Sequence, residues 1–262
     1  MKDIKLIAID LDGTLLNSKK EIPLGFFDFV KKHQEYIICL SSGRQYYTLF
    51  NDFKEIGDDL VYVADNGSFI FEGKTSVHKE TMTTDEVREI LKMAEGDDNI
   101  VPILCGLNSA YISSSLKDTS FADPYYKRLA KVEDLCIAAQ KDEIGKVTLY
   151  IKDLKSEEAL KKLPVMPEGT EALVSGKDWI DISLKGITKG DGIRFLQRKY
   201  GLTEDNCLCF GDYMNDYSMF KVCKYRIAMA NACKELKEIA SFITKTNDEN
   251  GVMEVLENIG KM

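Results

Sequence analysis

Short apolar runs and segments of helical periodicity alternate along the first 64 residues. The apolar runs at 4–9, 36–40 and 60–64 predict buried strands, and residues 24–34 and 45–56 carry apolar side chains at helical spacing. Strands and helices in regular alternation are typical of a parallel sheet with helices packed on both faces. The pattern therefore predicts an α/β fold with a doubly wound, Rossmann-like parallel sheet.

The alternation becomes irregular after residue 64. Residues 66–80 alternate around a central glycine, which predicts a hairpin. Beyond it, the pattern predicts a helix with Thr84 as its N-cap, and a mixture of helices and strands at 84–95, 146–151, 156–163, 171–175 and 179–184. Because this mixture lacks the strand–helix rhythm, it indicates an α+β domain inserted into the first one. Between about residues 105 and 140 the periodicity is too weak to predict elements.

The strand–helix rhythm returns at Lys189. The pattern predicts a helix after Asn215, and helices and strands over 189–200, 207–210, 225–229 and 233–240. These elements would complete the sheet begun at the N-terminus. The predicted organisation is a core formed by residues 1–82 and 185–262, interrupted by a cap domain at residues 83–184.

Composition and charge narrow the classes of function. The 262 residues carry a formal net charge of −8 with a pI near 5.0, which argues against a nucleic-acid-binding protein because such proteins present a basic face. A small anionic substrate is compatible with this balance, since a bound cation can reverse the local charge of a site. The chain has no run of 18 apolar residues, so no membrane span is expected.

The seven cysteines favour a reducing environment. They are odd in number and scattered through apolar stretches, which argues against a disulfide framework. The N-terminus leads from charged residues directly into the first strand, without the pattern of a signal peptide. A cytoplasmic location is therefore expected. Cys207 and Cys209 form a CxC pair, for which two buried thiols are a better interpretation than a zinc site.

Polar residues cluster at the ends of the predicted core elements. These clusters are Asp10 and Asp12 after the first strand, residues 41–44 after the second, Lys189 at a helix start, and residues 211–216 after the strand at 207–210. Each cluster alone also fits an ordinary turn or helix cap. In a doubly wound sheet, however, ligands bind beyond the carboxyl ends of the strands. Taken together, the four clusters predict one site that is chemically complete for phosphoryl transfer.

The residue types in this predicted site suit a metal ion and a phosphate. Asp10, Asp12 and Asp212 would supply oxygen ligands for Mg²⁺, which would relieve the repulsion between the acids and neutralise phosphate charge. The Ser42 hydroxyl and the Lys189 ammonium, together with the Gly43 amide, would hold the phosphate oxygens. Gly13 would allow the tight turn over the site.

Several stretches resemble one known enzyme family. They are "DLDGTLL" (10–16), "SSGR" (41–44), "DNGS" (65–68), "GITKGDGI" (186–193), "GDYMNDYSMF" (211–220) and "AMANACKELKEIASFITKTNDENGV" (228–252). Their order and spacing are similar to those of the haloacid dehalogenase superfamily of phosphohydrolases, and specifically of its Cof-type members with a large α+β cap. The stretches cover both ends of the chain, whereas the middle matches in length and general pattern only.

The resemblance implies a role for each acid. Asp10 would be the nucleophile that forms an aspartyl-phosphate, and Asp12 would be the general acid and base. The Asp10 carboxylate, the Asp12 backbone carbonyl and Asp212 would bind Mg²⁺. Asp216 would act on the metal through water or orient Lys189.

The resemblance also implies a set of residues that bind phosphate or substrate, namely Ser42, Gly43, Arg44, Asn66, Gly67, Lys189 and Asn215. The chain departs from the family pattern at three places. Ser41-Ser42 replaces the commoner Ala-Thr, Ala230 stands where glycine is more frequent, and Tyr213 fills a position that a small residue often occupies. Tyr213 is thereby expected to narrow the entrance to the site.

The leading interpretation is a Mg²⁺-dependent phosphatase that acts on a small phosphorylated metabolite, such as a sugar phosphate or a similar monoester. A phosphomutase of the same superfamily is the nearest enzymatic alternative, because it uses the same aspartyl-phosphate. A receiver-like signalling module is an alternative from another class, although the chain length and the acid at Asp12 argue against it. The identity of the substrate and the oligomeric state are open at this level.

Overall fold

The computed structural model describes residues 3–153 and 155–261, and the chain divides into two compact units. Residues 1–78 and 188–262 form the core unit, and residues 79–187 form the inserted unit. The insertion is thus longer than the predicted range 83–184 at both ends. The Met82 amide donates a hydrogen bond to the Ile144 carbonyl at 2.8 Å, and the Lys185 amide donates to the Gly169 carbonyl at 2.8 Å. These hydrogen bonds attach the flanking residues to the inserted unit.

The first segment of the core unit begins with a buried strand and continues through alternating helices and strands. Its elements are β1 (Leu6–Asp10), α1 (Phe26–Lys32), β2 (Ile37–Ser41), α2 (Tyr46–Asp52), β3 (Val61–Ala64), β4 (Phe69–Glu72) and β5 (Thr75–Lys79). The predicted hairpin at 66–80 corresponds to β4 and β5.

The inserted unit mixes helices and strands. Its elements are α3 (Thr84–Met93), β6 (Ile100–Gly106), β7 (Ala110–Ser113), β8 (Leu129–Val132), α4 (Leu135–Lys141), β9 (Ile144–Ile151), α5 (Ser156–Leu160), β10 (Thr170–Gly176) and β11 (Trp179–Leu184). Helix α3 is capped by Thr83 rather than by Thr84. The Thr83 side chain accepts a hydrogen bond from the Glu86 amide, and the Glu86 side chain accepts one from the Thr83 amide, which is a capping box.

The second segment of the core unit resumes the alternation. Its elements are α6 (Lys189–Tyr200), β12 (Cys207–Gly211), α7 (Tyr217–Phe220), β13 (Tyr225–Ala228), α8 (Lys234–Ile239), β14 (Phe242–Ile243) and α9 (Gly251–Asn258). Among the residues that the structure describes, no helix is long and apolar enough to cross a membrane.

The core unit is built on an eight-stranded sheet in the order β14-β13-β12-β1-β2-β3-β4-β5. Strands β14 to β3 in this order run parallel, and β4 pairs with β3 antiparallel. The chain progresses in one direction from β1 to β3 and later returns to place β12 on the other side of β1. This reversal creates a topological switch point between β1 and β12, where doubly wound proteins bind ligands. The predicted α/β fold with its parallel sheet is confirmed.

The inserted unit is built on a six-stranded sheet in the order β10-β11-β9-β6-β7-β8, which is antiparallel except for the β7–β8 pair. One face is covered by apolar side chains from the helices, such as Val87 and Ile90 of α3 and Ala138 of α4. The other face is covered by part of the segment between β7 and β8, including Ala122 and Tyr126. This packing confirms the predicted α+β insertion.

The region of weak periodicity contains regular elements after all. Strands β7 and β8 have four residues each and α4 has seven, so each is too short to repeat an apolar pattern. Helix α4 is defined instead by its cap, because the Asp134 side chain accepts hydrogen bonds from the amides of Cys136 and Ile137. Tertiary pairing and capping, rather than periodicity, therefore determine the structure between residues 105 and 140.

Candidate active site

The carboxyl ends of β1 and β12 bring two acids together at the switch point. Asp10 is the last residue of β1 and is 4% exposed. Asp212 directly follows β12, whose parallel register places Phe210 beside Ile9. The two carboxylates thus extend from neighbouring strands at the same edge of the sheet. This position is the ligand-binding edge of a doubly wound fold.

Lys189 enters this cluster from the first turn of α6. Its side chain is fully buried, and its Nζ donates hydrogen bonds to Asp10 Oδ1 at 2.6 Å and to Asp216 Oδ1 at 2.7 Å. The helix can approach because Gly190 and Gly192 lack side chains. A Cβ on Gly190 would lie 2.5 Å from the Ser218 carbonyl oxygen, and one on Gly192 would lie 2.6 Å from Val63 Cγ1. Close helix packing therefore delivers the ammonium to the acids.

Asp216 organises the loop that carries Asp212. Its Oδ2 accepts hydrogen bonds from the amides of Asp212 at 3.0 Å and Tyr213 at 3.3 Å, while its Oδ1 accepts the bond from Lys189. Both oxygens of this fully buried carboxylate therefore serve hydrogen bonds within the protein. Gly211 leaves room for the arrangement, since a Cβ there would lie 2.6 Å from Asp216 Cβ.

Three carboxylates share one ammonium in this cluster. Asp10, Asp212 and Asp216 each offer an oxygen within 4.8 Å of the others, and Lys189 balances only part of their charge. Burial and the charge of Asp216 raise the pKa of Asp10 to about 7, although Lys189 opposes the shift. Burial and Asp216 likewise raise the pKa of Asp212 to about 6. Burial would lower the pKa of Lys189, but the charges of Asp10 and Asp216 raise it above its ordinary value.

This imbalance fits a hard divalent cation. Carboxylate oxygens are the ligands that Mg²⁺ prefers, and an added positive charge would oppose the burial and the repulsion that raise the two aspartate pKa values. Because both oxygens of Asp216 are engaged in hydrogen bonds, Asp10 and Asp212 are the residues of this trio best placed to bind the ion directly. The described acidic cluster therefore has the donor chemistry of a magnesium site.

Asp12 lies outside the buried cluster and is bound by two cations. The Arg44 guanidinium donates from Nε to Asp12 Oδ2 at 2.8 Å and from Nη2 to Oδ1 at 2.6 Å, and it also pairs with Asp52. Lys20 Nζ lies 2.6 Å from the same Asp12 Oδ1. Burial alone would raise the pKa of Asp12, but the hydrogen bonds and charges of Arg44 and Lys20 lower it below its ordinary value. Arg44 was predicted to bind substrate, and in this structure its guanidinium binds the Asp12 carboxylate.

The loop after β2 places the Ser42 hydroxyl beside the sheet edge. Ser42 is buried, its amide donates to the Val63 carbonyl at 2.9 Å, and its Oγ accepts a hydrogen bond from the Arg44 amide at 3.2 Å. The Asn66 amide donates to the Ser42 carbonyl at 3.0 Å, which ties two predicted substrate-binding loops together. A Cβ on Gly43 would lie 3.1 Å from Asn66 Nδ2, so the predicted pair is in close contact.

Three successive residues of the second loop have positive φ angles. They are Asp65 at 47°, Asn66 at 56° and Gly67 at 114°. Asparagine and aspartate tolerate the left-handed region better than other residues with a Cβ, and the last angle suits glycine. The turn reverses the chain between β3 and β4. Such strained backbone is often concentrated at ligand sites.

Asn215 is the most solvent-exposed of the predicted site residues. It is exposed in the turn Met214–Asp216, and its carbonyl accepts a hydrogen bond from the Ser218 hydroxyl at 3.5 Å. Tyr213 and Met214 beside it are also exposed, at 64% and 46%. The structure thus joins Asp10, Lys189 and the loop acids directly, whereas Asn215 lies at the surface of that loop.

Sequence reasoning missed several residues that hold the loop after β1. Asn231 donates from Nδ2 to the Gly13 carbonyl at 2.8 Å and accepts a hydrogen bond from the Asn247 amide. Asn247 donates from Nδ2 to the Leu16 carbonyl at 2.9 Å. Thr14 donates to Asp212 Oδ1 at 3.4 Å. Both asparagines lie within the long stretch that resembles the family, which was the only sequence signal for them.

Gly13→Ala is expected to lower the free energy of unfolding more than the same substitution at a positive-φ glycine with free space around it. Gly13 has a φ of 84°, and an added Cβ would lie 2.2 Å from Asp212 Oδ2, so the carboxylate would have to move. We expect a loss of about 1–3 kcal/mol in the free energy of unfolding, measured in urea. Gly201→Ala is the control, because Gly201 also has a positive φ but nothing lies within 4 Å of its Cβ position. Equal losses in the two variants would show that the clash of the added Cβ with Asp212 does not contribute.

Comparisons with known proteins agree with the motifs. A family model described as haloacid dehalogenase-like hydrolase matches residues 7–256. The 5-amino-6-(5-phospho-D-ribitylamino)uracil phosphatase YbjI of Escherichia coli is 28% identical over 98% of this chain and 97% of its own length. A phosphoglycolate phosphatase of Methanosarcina acetivorans is 28% identical over 97% of this chain and 95% of its own length.

A solved structure agrees with the fold. The crystal structure of a haloacid dehalogenase-like hydrolase from Bacteroides thetaiotaomicron superimposes with a TM-score of 0.83 at 26% identity, covering 98% of this chain and 99% of that one. The family match, which spans nearly the whole chain, confirms the resemblance predicted from the motifs and the assignment to the phosphoric monoester hydrolases. The chain belongs to the haloacid dehalogenase-like hydrolases.

Proposed function

We propose that the protein is a Mg²⁺-dependent phosphatase that hydrolyses small phosphate monoesters through an aspartyl-phosphate on Asp10. The observation that carries the proposal is the position of the Asp10 carboxylate at the switch point, held by Lys189 within a cluster of acids. One Asp10 oxygen accepts the hydrogen bond from Lys189. Its carboxylate has the chemistry of a nucleophile in an environment that favours phosphate once a cation is bound.

In the first step, an Asp10 oxygen attacks phosphorus and the bond from phosphorus to the ester oxygen breaks. The protonated form of Asp12, which the ion pairs with Arg44 and Lys20 disfavour, supplies the proton that the departing alkoxide needs, so an alcohol leaves. In the second step, water attacks the phosphorus of the aspartyl-phosphate while Asp12 accepts a proton from it. The bond from phosphorus to the Asp10 oxygen breaks, so inorganic phosphate is released and the Asp10 carboxylate is regenerated.

The remaining site residues orient the phosphoryl group. The Ser42 hydroxyl and the Gly43 amide would donate hydrogen bonds to its oxygens, and the Lys189 ammonium would stabilise its charge. Mg²⁺, held by Asp10, Asp212 and the Asp12 backbone carbonyl, would supply the positive charge that lets an anionic phosphate approach an anionic nucleophile. Asp216 would keep Lys189 in place, as its hydrogen bond of 2.7 Å indicates.

The relatives favour small metabolites as substrates. One carries the name of a phosphorylated ribitylaminouracil and another that of phosphoglycolate, although both match this chain at 28% identity. The proposal is therefore limited to the class of small monoesters, which includes sugar phosphates. The decisive experiment incubates the purified protein and Mg²⁺ with a panel of metabolite monoesters and measures free phosphate. Interconversion of hexose 1- and 6-phosphates without phosphate release would contradict hydrolysis and indicate a mutase.

Removing and restoring Mg²⁺ is expected to change both activity and stability. EDTA should stop phosphate release and Mg²⁺ should restore it. At a concentration 100-fold above its dissociation constant, the ion should add about 3 kcal/mol to the free energy of unfolding. KCl at equal ionic strength is the control for screening. Normal activity after chelation would refute the metal requirement.

The pH dependence of this stabilisation has a definite sign. Asp10 and Asp212 have folded-state pKa values of about 7 and about 6, above their ordinary value of 3.8, so the metal-free folded protein binds more protons than the unfolded chain between about pH 4 and 7. Its stability should therefore fall as the pH rises through this window. Because Mg²⁺ needs ionised carboxylates, its stabilising effect should grow over the same window. Thermal melts at pH 5, 6 and 7 with EDTA or Mg²⁺ measure both trends.

A further inference from the structure

The turn after the Asp10 loop presents a lysine in an unusual backbone conformation. Lys20 has a φ of 65°, in the left-handed region that residues with a Cβ seldom adopt. The strain is held by Asn17, whose side-chain oxygen accepts hydrogen bonds from the amides of Lys19 and Glu21, each at 2.9 Å. The Lys20 amide donates to the Asn17 carbonyl at 2.8 Å. Backbone strain maintained by this many contacts suggests a functional reason for the position.

The turn is also fastened to a distant part of the core unit. Asp248 accepts hydrogen bonds from the Ser18 amide and from the Ser18 hydroxyl, both at 2.7 Å. This contact joins residues separated by 230 positions in the chain. The turn therefore has a defined place beside the site, and the Lys20 side chain starts from a fixed backbone.

Lys20 directs its ammonium to the proposed general acid. Its Nζ lies 2.6 Å from Asp12 Oδ1, whereas Arg44 holds both Asp12 oxygens from its less exposed position. The Lys20 side chain is 60% exposed. An ammonium has three N–H donors, so Lys20 can bind a ligand while it remains beside Asp12.

A simple distance argument connects Lys20 with the substrate. A general acid must come within about 3 Å of the oxygen that it protonates, so for transfer from Asp12 Oδ1 the leaving oxygen lies within about 6 Å of the Lys20 ammonium. Polar groups on the first or second carbon from the ester oxygen fall within direct hydrogen-bonding reach of a side chain as long and as mobile as lysine. Lys20 is therefore positioned to contact the alcohol part of the substrate rather than its phosphate.

We propose that Lys20 is a specificity-determining residue, whose ammonium donates a hydrogen bond to an oxygen that the leaving group carries close to the ester oxygen. The inference rests on the proposed function, because it uses Asp12 as the general acid. It names a substrate class, which is phosphate monoesters of polyols, sugars and hydroxy acids rather than of simple alkyl alcohols. The leaving-group oxygen that accepts this hydrogen bond belongs to a hydroxyl or a carboxylate, both of which accept hydrogen bonds from an ammonium.

The test compares two monoesters with the same three-carbon skeleton, glycerol 1-phosphate and n-propyl phosphate, with Mg²⁺ present. Only glycerol 1-phosphate carries hydroxyls, on carbons 2 and 3. We expect the wild-type protein to show a kcat/KM about fivefold or more higher for glycerol 1-phosphate, because one hydrogen bond to a charged group is gained. Lys20→Met should bring the ratio close to one. Lys19→Met removes the same charge from the same turn but leaves the Lys20–Asp12 pair, so it should keep the wild-type ratio.

Lys20→Gly separates recognition from folding. Glycine adopts a positive φ without strain, so this variant should melt at a temperature equal to or above that of the wild type and still lose the preference for glycerol 1-phosphate. A preference that survives in Lys20→Met or Lys20→Gly, or that is absent from the wild type, overturns the inference while phosphatase activity persists. Failure of the wild-type protein to release phosphate from either monoester or from p-nitrophenyl phosphate overturns the proposed function itself.

Discussion

Asp10→Asn is expected to lower phosphate release at least about 10⁴-fold, because an amide oxygen is a poor nucleophile toward phosphorus and cannot give the aspartyl-phosphate. The fold should survive, since asparagine has nearly the same shape and its side-chain oxygen can still accept a hydrogen bond from Lys189. Removing one of three clustered carboxylates also relieves repulsion, so the metal-free variant should be no less stable than the wild type at pH 8. Phosphate release from p-nitrophenyl phosphate and urea unfolding measure the two effects.

Asp28→Asn is the matched control for this variant. Asp28 is an exposed aspartate in the first turn of α1, so the same chemical change there should leave turnover within experimental error. Mass spectrometry adds an independent observation, because a phosphorylated form trapped in the wild type during turnover should be absent from Asp10→Asn. Retained turnover in Asp10→Asn would remove Asp10 from the role of nucleophile.

Lys189→Met is expected to impair both stability and catalysis. The substitution leaves the buried Asp10 and Asp216 carboxylates without their shared ammonium, and breaking a buried ion pair from one side typically costs about 3–5 kcal/mol. Loss of a positive charge at the phosphoryl site should also lower kcat about 100-fold or more. The destabilisation should be smaller at pH 5 than at pH 8, because the stranded carboxylates can take up protons at the lower pH. Urea unfolding at both pH values and phosphate release measure these changes.

A double variant distinguishes the structural effect from the catalytic one. Adding Asp216→Asn to Lys189→Met removes one stranded charge, so part of the lost stability should return, while activity should stay low. Recovery of activity together with stability would show that Lys189 acts only by maintaining the fold. The comparison is informative because the Asp216 carboxylate accepts hydrogen bonds from Lys189 and from the amides of Asp212 and Tyr213, so it is part of the buried network that the loss of Lys189 leaves with excess negative charge.

The two lysines at the site, Lys189 and Lys20, differ in burial, and the expected effects of removing them differ accordingly. Lys189 is fully buried, and its loss leaves charges that solvent cannot screen. Lys20 and Asp12 are 60% and 40% exposed, and ion pairs of that kind contribute little to stability. For this reason, the Lys20 variants should change substrate preference with little effect on unfolding, whereas Lys189→Met should change both. This contrast makes the two sets of measurements controls for one another.

Motif spacing could point to the candidate site because its residues occupy the ends of core elements. Asp10 follows a buried strand, Asp212 follows another, and Lys189 starts a helix. Parallel strands place their carboxyl ends at one edge, so these positions meet in any doubly wound sheet with this strand order. The residues that begin and end these helices form local motifs with a recognisable sequence pattern, such as the Thr188 capping box before Lys189.

Sequence patterns failed where contacts between distant segments decide the structure. The pairing of Lys20 with Asp12 depends on a strained turn held by Asp248, and nothing in the local pattern indicates it. The same holds for Asn231 and Asn247, which lock the loop after β1 from the far end of the chain. Short strands such as β7 and β8 were not predicted for a related reason. A four-residue strand is too short to show a clear apolar pattern, and pairing with neighbouring strands stabilises it.

By itself, the sequence determined the α/β core, the inserted α+β unit, the family and the chemical identity of the acids, because these depend on periodicity and on residue types at element ends. Only the tertiary structure decided which partner each acid has. Lys189 joins Asp10 to Asp216, while Arg44 and Lys20 bind Asp12. The physical reason is that ion pairing and pKa depend on distances of a few ångströms and on burial, which arise only when segments remote in the chain pack together.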